Sequence, residues 1–488
     1  MRNFRQLLTS RDSEALVMAP SAKRIKLDEG AKLPDLPYPF GPGPAVRVHV
    51  PEDVVIPPVT GRGRELLRRA TSQWQWDAFE YALHVQTYPL ATLMKHMLTH
   101  SGLIDEFKLS SVHAERRLDR FLVAVDMHYH RPIRNPAEDR VDVKSTQGEE
   151  GGDGLRVGYH NVIHACDVLQ STYAYIHLSD LIVNQPCPRF RYEMLWAAMV
   201  HDFGHPGVDN DFLVKTKSAA AEACEEAPLE HYHSRFGKVV KCEFDAFDYA
   251  TVVEGHEPGT SRYFRWDDFV PAMVMDTDMS RHSDVLRRVL EPAGASGWSP
   301  PSSDARWNDL VQEAKKWSAY CEERRVEDRN RRTEENPGRF EVGASDGVDG
   351  VENGVADDLL ERVRLLETLV LKAADLGHLA RPLAVHKEWV EVLFEEFWRL
   401  GDREREAGLD VKPLHDRAGS SPVRVAESQV WFFNAVGLPL FQALVEVLPA
   451  ARCQLEAVRE NCEYWEGRLE AEKAAEKVKE VSTTNGRN

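Results

Sequence analysis

The chain has 488 residues, 42% of them apolar and 9% aromatic, and can therefore bury a large hydrophobic core. Its 61 basic and 79 acidic residues give a net charge of −18, which argues against a protein that binds nucleic acid by broad phosphate neutralisation. Since no uninterrupted apolar run is long enough to span a membrane and no signal peptide is evident, we expect a soluble, intracellular protein, cytoplasmic unless it is imported into the nucleus.

The N-terminal part is rich in proline, as in LPDLPYPFGPGPAV, and shows no sustained helical periodicity. We therefore predict an N-terminal extension over residues 1–70 that is largely disordered. Within it, residues 20–28 (PSAKRIKLD) resemble the short basic nuclear-import signals that importins bind. A solvated charge cluster without a partner is the alternative interpretation of this segment.

From about Thr71 the pattern changes to amphipathic helices joined by short polar loops, with almost no strand-like alternation. This pattern predicts an all-α fold, a compact multi-helix domain over residues 71–470. Residues 193–200 (EMLWAAMV) are apolar nearly all round, which is typical of a helix in the middle of such a domain. Apolar residues recur at three- and four-residue steps from Leu359 to Ala373, which predicts a second core helix with one buried face.

Two segments interrupt the helical pattern, residues 139–154 and residues 293–358. Their charge, glycine and serine content predicts insertions that consist of exposed loops and, in the longer one, a solvated helix. Residues 471–488 are mostly charged or polar, and we interpret them as a C-terminal tail in which a helix frays.

The segment YHNVIHACDVLQSTYAYI begins at Tyr159 and carries a polar stripe within an apolar helix. Spacings of four, three and four residues place its members on one side of a helix: His160, His164, Asp167 and Ser171. Burying imidazoles and a carboxylate without partners would cost roughly several kcal/mol, so we expect the stripe to face a metal, a water-filled cleft or its own members. For one such histidine alone, a hydrogen-bonded core residue would be the more common explanation.

Two further segments supply potential metal ligands. In HDFGHPG, His201 and Asp202 follow the apolar helix, whose C-terminal end carries a partial negative charge that attracts cations. In LKAADLGH, Asp375 ends the amphipathic helix after two small alanines, where a buried carboxylate is hard to explain without a cation. Taken alone, Asp375 could also be an aspartate that begins a turn.

Together the segments offer two imidazoles and two carboxylates, from His164, His201, Asp202 and Asp375. This ligand set suits zinc in a site that keeps open positions for water. The second carboxylate oxygen of Asp202 could bridge to a harder ion, so we predict two divalent ions, Zn²⁺ and Mg²⁺, with Mn²⁺ as an alternative at the second position.

In this order, the segments resemble the catalytic domain of the class I cyclic-nucleotide phosphodiesterases, which are part of the HD-type metal hydrolase superfamily. The resemblance covers residues 72–465 apart from the two insertions. Besides the three segments above, it includes PLATLMKHML, RFLVAVDMHY, LEHYH, DTDMSRH, EEFWRLGDREREAGLDVKPLHDR and SQVWFF. It implies hydrolysis of 3′,5′-cyclic nucleotides, cAMP or cGMP or both, to 5′-monophosphates, an activity that terminates cyclic-nucleotide signalling.

The resemblance also implies roles for individual residues. A hydroxide that bridges two metal ions would attack phosphorus, with His160 as the general acid and His164, His201, Asp202 and Asp375 as ligands. The positions that would complete catalysis, hold metal-bound waters or orient these groups are His205, Glu230, Asp167, Thr277 and Asp278. Those that would line the substrate pocket are Tyr159, His378, Leu393, Gln429 and Phe432.

Within this pocket, the resemblance implies that Gln429 binds the purine edge and that Phe432 stacks on its face, opposite Leu393. An amide can donate and accept hydrogen bonds, so Gln429 suits either adenine or guanine. Phe432 taken alone would more often be a core residue. Relatives that prefer cAMP commonly have asparagine where this chain has His378, so the nucleotide preference stays open.

Two alternatives remain. A different HD-type hydrolase acting on nucleoside mono- or triphosphates would need basic residues near the cleft and would leave Gln429 and Phe432 without a role. A non-catalytic sensor would have lost a ligand or the acid, whereas every matched position is present here. The oligomeric state is left open.

Overall fold

A computed structural model of the chain describes residues 50–51, 53–107, 109–129, 158–178, 188–234, 266–290 and 352–485. Regular structure within these ranges is helical and contains no strand, so the predicted all-α class is confirmed. The import-like segment 20–28, the first predicted insertion and nearly all of the second lie outside the described residues, and these predictions stay untested.

Within each described range, most of the helices follow one another with short connections. The α-helices whose bounds are defined are, in chain order, α1 (Gly61–Ala70), α2 (Ala78–His84), α3 (Pro89–His100), α4 (Leu103–Glu106), α5 (Val112–His128), α6 (Val162–His177), α7 (Pro188–Val200), α8 (Asn210–Lys215), α9 (Ala219–Ala223), α10 (Trp266–Met275), α11 (His282–Leu290), α12 (Glu352–Asp375), α13 (Leu383–Glu406), α14 (Pro422–Phe432), α15 (Leu438–Val447) and α16 (Arg452–Asn485). Residues 228–234 are also helical. Shorter turns are the 3₁₀ segments Met279–Arg281, Gly377–Ala380 and Pro449–Ala451 and the π-helical segment Phe433–Gly437.

Helices α6, α7 and α12 form the centre of the molecule. The predicted core helix over residues 193–200 is part of α7, and all of these residues are buried. Helix α7 packs against α6, α10 and α12, and α6 also packs against α3 and α12. A helix that is apolar all round must be covered on every side, which explains why α7 takes the central position. The three helices that carry the predicted ligands are therefore anchored in the core.

Three predicted boundaries differ from the structure. Helix α1 lies within the predicted extension 1–70, yet Leu66 and Ala70 are fully buried and the indole of Trp76 donates to the Leu66 carbonyl at 3.0 Å. The many arginines of α1 make the sequence look exposed, so its few buried apolar residues were not recognised. Helix α12 begins at Glu352, inside the predicted second insertion, and α16 continues without a break to Asn485, through most of the predicted tail.

One continuous segment, Pro422–Val447, is apolar and long enough to cross a membrane by length and composition alone, and half of its most apolar window is buried. It consists of α14, the π-helical segment and α15. Its buried residues Phe433, Leu440 and Phe441 belong to the main core cluster. We therefore interpret it as a core element, since a buried core helix can pass the same test.

Candidate active site

The four predicted ligands come from three segments that are distant in sequence. His164 lies on α6, His201 and Asp202 directly follow α7, and Asp375 is the last residue of α12. One ligand atom of each lies within 4.8 Å of the others. The Nε2 atom of His164 is 3.1 Å from Asp375 Oδ1 and 3.2 Å from His201 Nε2, which in turn lies 3.2 Å from Asp202 Oδ2. The folded chain thus brings together the groups that the sequence singled out.

Hydrogen bonding at His201 fixes which of its nitrogen atoms faces the cluster. Its Nδ1 is 2.9 Å from the carbonyl of Ala198, and a carbonyl can only accept. The Nδ1 atom therefore carries the proton, and Nε2 directs a lone pair at Asp202 and Asp375 in the neutral form. A neutral imidazole held in this way by the backbone is a normal metal ligand.

The electrostatics of the cluster favour a cation. Burial lowers the pKa of His201, but the charges of Asp202 and Asp375 outweigh it and hold this pKa well above its ordinary value. Burial raises the pKa of Asp375, yet the hydrogen bonds and charges of His164 and His201 outweigh it and lower this pKa far below the usual range. A field that binds a proton so strongly also favours a divalent ion, so the residues present fit a metal site.

His160 lies beside this cluster but outside helix α6. The side chain of Asn161 caps α6 by accepting from the Ile163 N–H at 2.7 Å, so the helix begins at Val162. The four-residue spacing predicted His160 on the same helical stripe as His164, and this prediction is wrong because α6 begins only after the Asn161 cap. His160 is thus held by a loop, with its ring centroid 5.7 Å from that of His164.

Glu396 on α13 holds His160 and was missed by the sequence analysis. Its Oε1 is hydrogen-bonded to His160 Nδ1, and its Oε2 accepts from the backbone N–H groups of Tyr159 at 2.7 Å and His160 at 3.1 Å. The signal that could have identified it is its register, because it shares one face of α13 with the apolar Trp389 and Leu400. A buried glutamate at such a position needs partners, and here it finds three.

This partner controls the protonation of His160. Burial lowers the pKa of His160, but the charges of Glu396 and Asp202 and the hydrogen bond to Glu396 outweigh it and raise the pKa to about 9. The imidazole is therefore protonated at neutral pH. Since Nδ1 is bonded to Glu396, the proton on Nε2 is the one available for transfer.

Replacing Glu396 with glutamine is expected to shift the alkaline limb of the pH profile of kcat/KM to lower pH by about one unit or more. The amide keeps an acceptor for the backbone but removes the charge that raises the pKa of His160, so the protonated form is lost as the pH rises through a lower value. Glu395→Gln is the matched control, because the neighbouring Glu395 binds Arg399 and Arg417 instead. Coincident profiles for wild type and Glu396→Gln would contradict this role of Glu396.

His205 and His233 continue a row of imidazole rings from His160. The ring of His205 stacks on His160 at 3.9 Å between centroids and lies 5.5 Å from His233. His205 Nδ1 accepts from the Gly207 N–H at 3.1 Å. His233 was missed by the sequence analysis, although it ends the segment LEHYH that carries Glu230.

The orientation of His233 resembles that of His201. Its Nδ1 donates to the carbonyl of Phe203 at 2.7 Å, and its buried Nε2 has no hydrogen-bond partner among the described residues and lies 3.9 Å from Asp202 Oδ1. Burial is the main reason why the pKa of His233 falls to about 4. His233 is therefore neutral, and its Nε2 acceptor faces Asp202 Oδ1, whereas Oδ2 is the oxygen near His164 and His201. We call the region around Oδ1 the open side of Asp202, and the second ion was predicted there.

Glu230 and Asp278 place further acidic groups near this open side. Burial and then the charge of Asp278 raise the pKa of Glu230 to about 7, although Asn210 donates to it at 2.9 Å. The side chain of Asp278 accepts from the N–H and hydroxyl of Ser280 at 2.8 and 2.6 Å, and Thr277 Oγ1 donates to Val274. These side-chain hydrogen bonds of Thr277 and Asp278 are to residues close in sequence, and the predicted orienting role of both residues remains a proposal.

A buried lysine joins this loop to the helix that carries Asp375. Lys372 lies one turn before Asp375 on α12, and its Nζ donates to the carbonyls of Asp276 at 2.8 Å, Thr277 at 3.1 Å and Asp278 at 3.2 Å. These three bonds use all the donors of an ammonium group. A lysine on an otherwise buried helix face is the sequence signal that was overlooked.

Asp167 contacts an arginine rather than the predicted ligands. Its Oδ1 is 2.7 Å from Arg381 Nη2, and both side chains are buried. Arg381 also donates to Gln170 and Ser171, each at 2.8 Å. Asp167 and Ser171, which form the C-terminal part of the polar stripe on α6, therefore pair with Arg381. This partner was not predicted from the sequence. The interaction of Asp167 with the predicted ligands is electrostatic, through the charge of His164 one turn earlier on α6.

Two of the five predicted substrate-binding residues, Tyr159 and His378, lie beside the ligand cluster. The other three lie on helices: Leu393 on α13, and Gln429 and Phe432 on α14. Tyr159 is buried, with its ring 4.6 Å from His164 and 5.7 Å from His378. His378 and Gln429 are buried, and His378 Nδ1 and Gln429 Oε1 have no hydrogen-bond partner among the described residues. Leu393 and Phe432 are half-buried against the main core. Buried polar atoms without partners are expected where a ligand completes the hydrogen bonding.

Comparison with known proteins identifies the family. Residues 159–458, more than half of the chain, match the family described as 3′5′-cyclic nucleotide phosphodiesterase. The chain is similar to the 3′,5′-cyclic-AMP phosphodiesterase 4C of Rattus norvegicus, with 26% identity over 410 residues that make up 82% of this chain and 58% of that protein. It is also similar to the 3′,5′-cyclic-AMP phosphodiesterase, isoform F, of Drosophila melanogaster, with 28% identity over 320 residues, 64% of this chain and 38% of that protein.

The chain thus spans less than two thirds of the length of these curated relatives. Among solved structures, its fold is similar to the phosphodiesterase domain of the RhoPDE fusion protein from the choanoflagellate Salpingoeca rosetta, with a TM-score of 0.57 and 18% identity over 84% of this chain and 99% of that chain. The resemblance noted in the sequence is confirmed at the level of fold and family. The chain belongs to the 3′5′-cyclic nucleotide phosphodiesterase family.

Proposed function

We propose that the protein hydrolyses 3′,5′-cyclic nucleotides to 5′-nucleoside monophosphates and so terminates cyclic-nucleotide signals. The observation that carries the proposal is the meeting of His164, His201, Asp202 and Asp375 within 4.8 Å, beside the His160–Glu396 pair. A cation site next to a protonated imidazole suits displacement at phosphorus with a poor leaving group. The relatives named as 3′,5′-cyclic-AMP phosphodiesterases support the same activity.

The four clustered side chains would hold the first ion, which we propose is zinc, because imidazole and carboxylate ligands suit it. Asp202 would share a second ion, Mg²⁺ or Mn²⁺, on the side that His233 and Glu230 face. When bound, such ions make water a strong nucleophile near neutral pH and neutralise charge on the phosphoryl oxygens.

His160 would act as the general acid. The 3′ oxygen of a ribose leaves as a strongly basic alkoxide, so proton transfer to it lowers the barrier. The bond from Nδ1 to Glu396 holds the ring in place and keeps the transferable proton on Nε2. After transfer, the neutral imidazole regains a proton readily, because the negative charge of Glu396 raises its pKa.

The pocket would bind the edge of the base through Gln429 and His378. It would contact the two faces of the base through Phe432 and Leu393. Gln429 and Phe432 are three residues apart on α14, so both side chains lie on one face of the helix. The amide of Gln429 and the imidazole of His378 can each donate to or accept from a purine edge. Because an amide suits either purine, we propose that cAMP, cGMP or both are substrates.

We also propose a soluble intracellular enzyme that acts mainly in the cytoplasm. Entry into the nucleus would depend on importin binding to residues 20–28. A small-molecule substrate, rather than nucleic acid, agrees with the net charge of −18.

A side-by-side hydrolysis assay of cAMP and cGMP tests the proposal. We expect release of the 5′-monophosphate from at least one of them, loss of turnover after treatment with a chelator, and recovery when Zn²⁺ and Mg²⁺ are added together. Nucleoside mono- and triphosphates serve as controls for the alternative HD-type hydrolase. Turnover of those compounds without turnover of either cyclic nucleotide would overturn the proposal, as would full activity without metal.

A further inference from the structure

One buried ammonium group attaches the turn between α10 and α11 to the helix that carries Asp375. The Nζ atom of Lys372 donates to three consecutive carbonyls, those of Asp276 at 2.8 Å, Thr277 at 3.1 Å and Asp278 at 3.2 Å. Lys372 is only 2% exposed to solvent. Because Lys372 and Asp375 are three residues apart on α12, both side chains lie on the same face of the helix. The turn is therefore held at the face of α12 that carries a predicted metal ligand.

This turn, residues 276–281, is braced by hydrogen bonds of its own. The carboxylate of Asp278 accepts from the N–H and the hydroxyl of Ser280 at 2.8 and 2.6 Å. The guanidinium of Arg281 donates to the carboxylate of Asp276 at 3.1 Å, and its backbone N–H donates to the carbonyl of Asp278 at 3.1 Å. A turn braced in this way moves as one unit, so its position depends on its attachments to the neighbouring helices.

The turn 276–281 places a carboxylate near the open side of Asp202. Burial raises the pKa of Glu230, and the charges of Asp278 and Asp202 raise it further, so the three carboxylates interact electrostatically. Mg²⁺ and Mn²⁺ prefer oxygen ligands and keep several bound waters, which carboxylates nearby can accept hydrogen bonds from. How well these groups surround such an ion therefore depends on where the turn is held.

The charge of Lys372 and its hydrogen bonds act on a nearby cation in opposite directions. Three carbonyl acceptors require three N–H donors, so the group is the charged ammonium. A positive charge buried near Asp375 and Asp278 repels a divalent ion. The hydrogen bonds from the same group fix the turn, and a fixed supporting group strengthens metal binding. The sign of the change in metal affinity when Lys372 is replaced thus shows which effect is larger.

We propose that Lys372 is a positioning residue for the second ion: its three hydrogen bonds hold the turn 276–281, and with it the Asp278 carboxylate, where they give this ion its affinity. The proposal rests on the proposed function, because the second ion is part of that function. Lys372 itself makes no contact with the ion. The first ion should be affected little, because three of its four ligands belong to α6 and to the end of α7, which the turn does not hold.

Lys372→Met and Lys372→Gln remove the same charge but differ in hydrogen bonding. Methionine has no N–H donor, whereas the glutamine amide has two. We expect the dissociation constant for Mn²⁺ to rise about 10- to 100-fold in Lys372→Met, the usual cost of losing a group that supports a metal site, and to rise less in Lys372→Gln. Mn²⁺ binding that is unchanged or tighter than in the wild type would show that the charge predominates and would overturn the proposal.

The second ion can be followed without turnover by electron paramagnetic resonance, because free Mn²⁺ gives a sharp signal that is lost on binding. The full-length protein is stripped with a chelator, given one equivalent of Zn²⁺ and titrated with Mn²⁺. Elemental analysis after desalting should show that the wild type and both variants retain the zinc. Loss of zinc together with Mn²⁺ would show a general collapse of the site and would overturn the specific role of Lys372, as would a wild type that binds no Mn²⁺.

Lys95→Met is the matched control. Lys95 on α3 is also partly buried, and its ammonium pairs with Glu115 at 2.9 Å and with the buried Asp119 at 2.7 Å, both on α5. The exchange removes an ammonium that links two helices, but none of its partners belongs to the candidate active site. We expect wild-type affinity for Mn²⁺. An equal loss of affinity in Lys95→Met and Lys372→Met would show a general loss of stability and would overturn the proposal.

Hydrogen exchange of the wild-type protein tests the same proposal if Lys372→Met does not fold. Because the lysine holds the turn 276–281 whether or not an ion is bound, the backbone amides of the turn should exchange slowly in protein stripped of metal. Adding Mn²⁺ should slow them little further. Rapid exchange that becomes slow only when Mn²⁺ is added would show that the ion, and not Lys372, orders the turn, and would overturn the proposal.

The outcomes separate this proposal from the proposed function. If the wild-type protein hydrolyses no cyclic nucleotide, the proposed function fails, while the Mn²⁺ titration and hydrogen exchange still test the role of Lys372. If hydrolysis is normal but Lys372→Met binds Mn²⁺ as the wild type does, the function stands and the positioning role is overturned. If both stand, the Mg²⁺ concentration for half-maximal hydrolysis should rise in Lys372→Met by about the same factor as the dissociation constant for Mn²⁺.

Discussion

Replacing His160 with alanine is expected to lower kcat by about 10²- to 10⁴-fold, the usual contribution of a general acid, with little change in KM. The leaving 3′ oxygen would then have to depart without a proton from the ring that Glu396 holds. Steady-state kinetics with the preferred cyclic nucleotide measure this effect. His84→Ala is the control, because His84 is an exposed residue at the end of α2.

A second substrate distinguishes loss of the acid from a general disturbance of the site. An activated p-nitrophenyl phosphodiester has a leaving group that needs no proton, so its turnover should fall much less in His160→Ala than that of the cyclic nucleotide. An equal fall for both substrates would show that His160 does something other than donate a proton to the leaving group. Unchanged turnover of the cyclic nucleotide would remove the proposed acid role altogether.

Asp202→Asn is expected to abolish metal retention at the cluster and to reduce turnover by more than about a hundredfold. Removing a residue that only supports a metal ligand typically lowers metal affinity or activity by about 10- to 100-fold. Asp202 is proposed to contact both ions directly, so a larger loss is expected. Its oxygens lie 3.2 Å from His201 Nε2 and 3.9 Å from His233 Nε2, so Asp202 faces both the four-ligand cluster and the imidazole of His233. Elemental analysis of the purified protein and kinetics at saturating Zn²⁺ and Mg²⁺ measure the two effects.

Asp211→Asn provides the control for this substitution. Asp211 lies on α8, near Asp202 in sequence, but its carboxylate pairs with Lys215 and Lys412 at the surface. Full metal content and normal turnover are expected there. If Asp202→Asn retained both ions, the cluster would not be the metal site.

The ligand cluster could be predicted from the sequence because its chemistry is local. His164, His201, Asp202 and Asp375 each occupy a position where an apolar helix makes a polar side chain conspicuous. Their meeting follows from the helices α6, α7 and α12 packing in the core. The boundary at Asn161 was not anticipated, since a capping residue inside a polar stripe interrupts the helix without changing the spacing.

The residues that were missed depend on contacts between distant parts of the chain. Glu396 and His160 are 236 positions apart, and Lys372 reaches backbone carbonyls some 95 positions away. A glutamate or lysine on a helix is usually a surface residue, so its burial can be recognised only from its register with apolar neighbours. Helix α1 was missed because its arginines suggest an exposed segment, although its leucines are buried in the core.

The cluster of ligands has two unlike sides. The side chains of His164 and His201 are only 2% and 1% accessible to solvent, whereas those of Asp202 and Asp375 are 13% and 20% accessible. Both imidazoles lie in the interior of the protein. An ion or ligand could reach the cluster from their side only if helices of the core separated. Among the described residues, the accessible side of the cluster is therefore the side of the two carboxylates, where ions and the proposed phosphate-ester substrates would enter and leave. Metal exchange and product release would then use the same side, so a product that stays bound there would slow the exchange of the ions behind it.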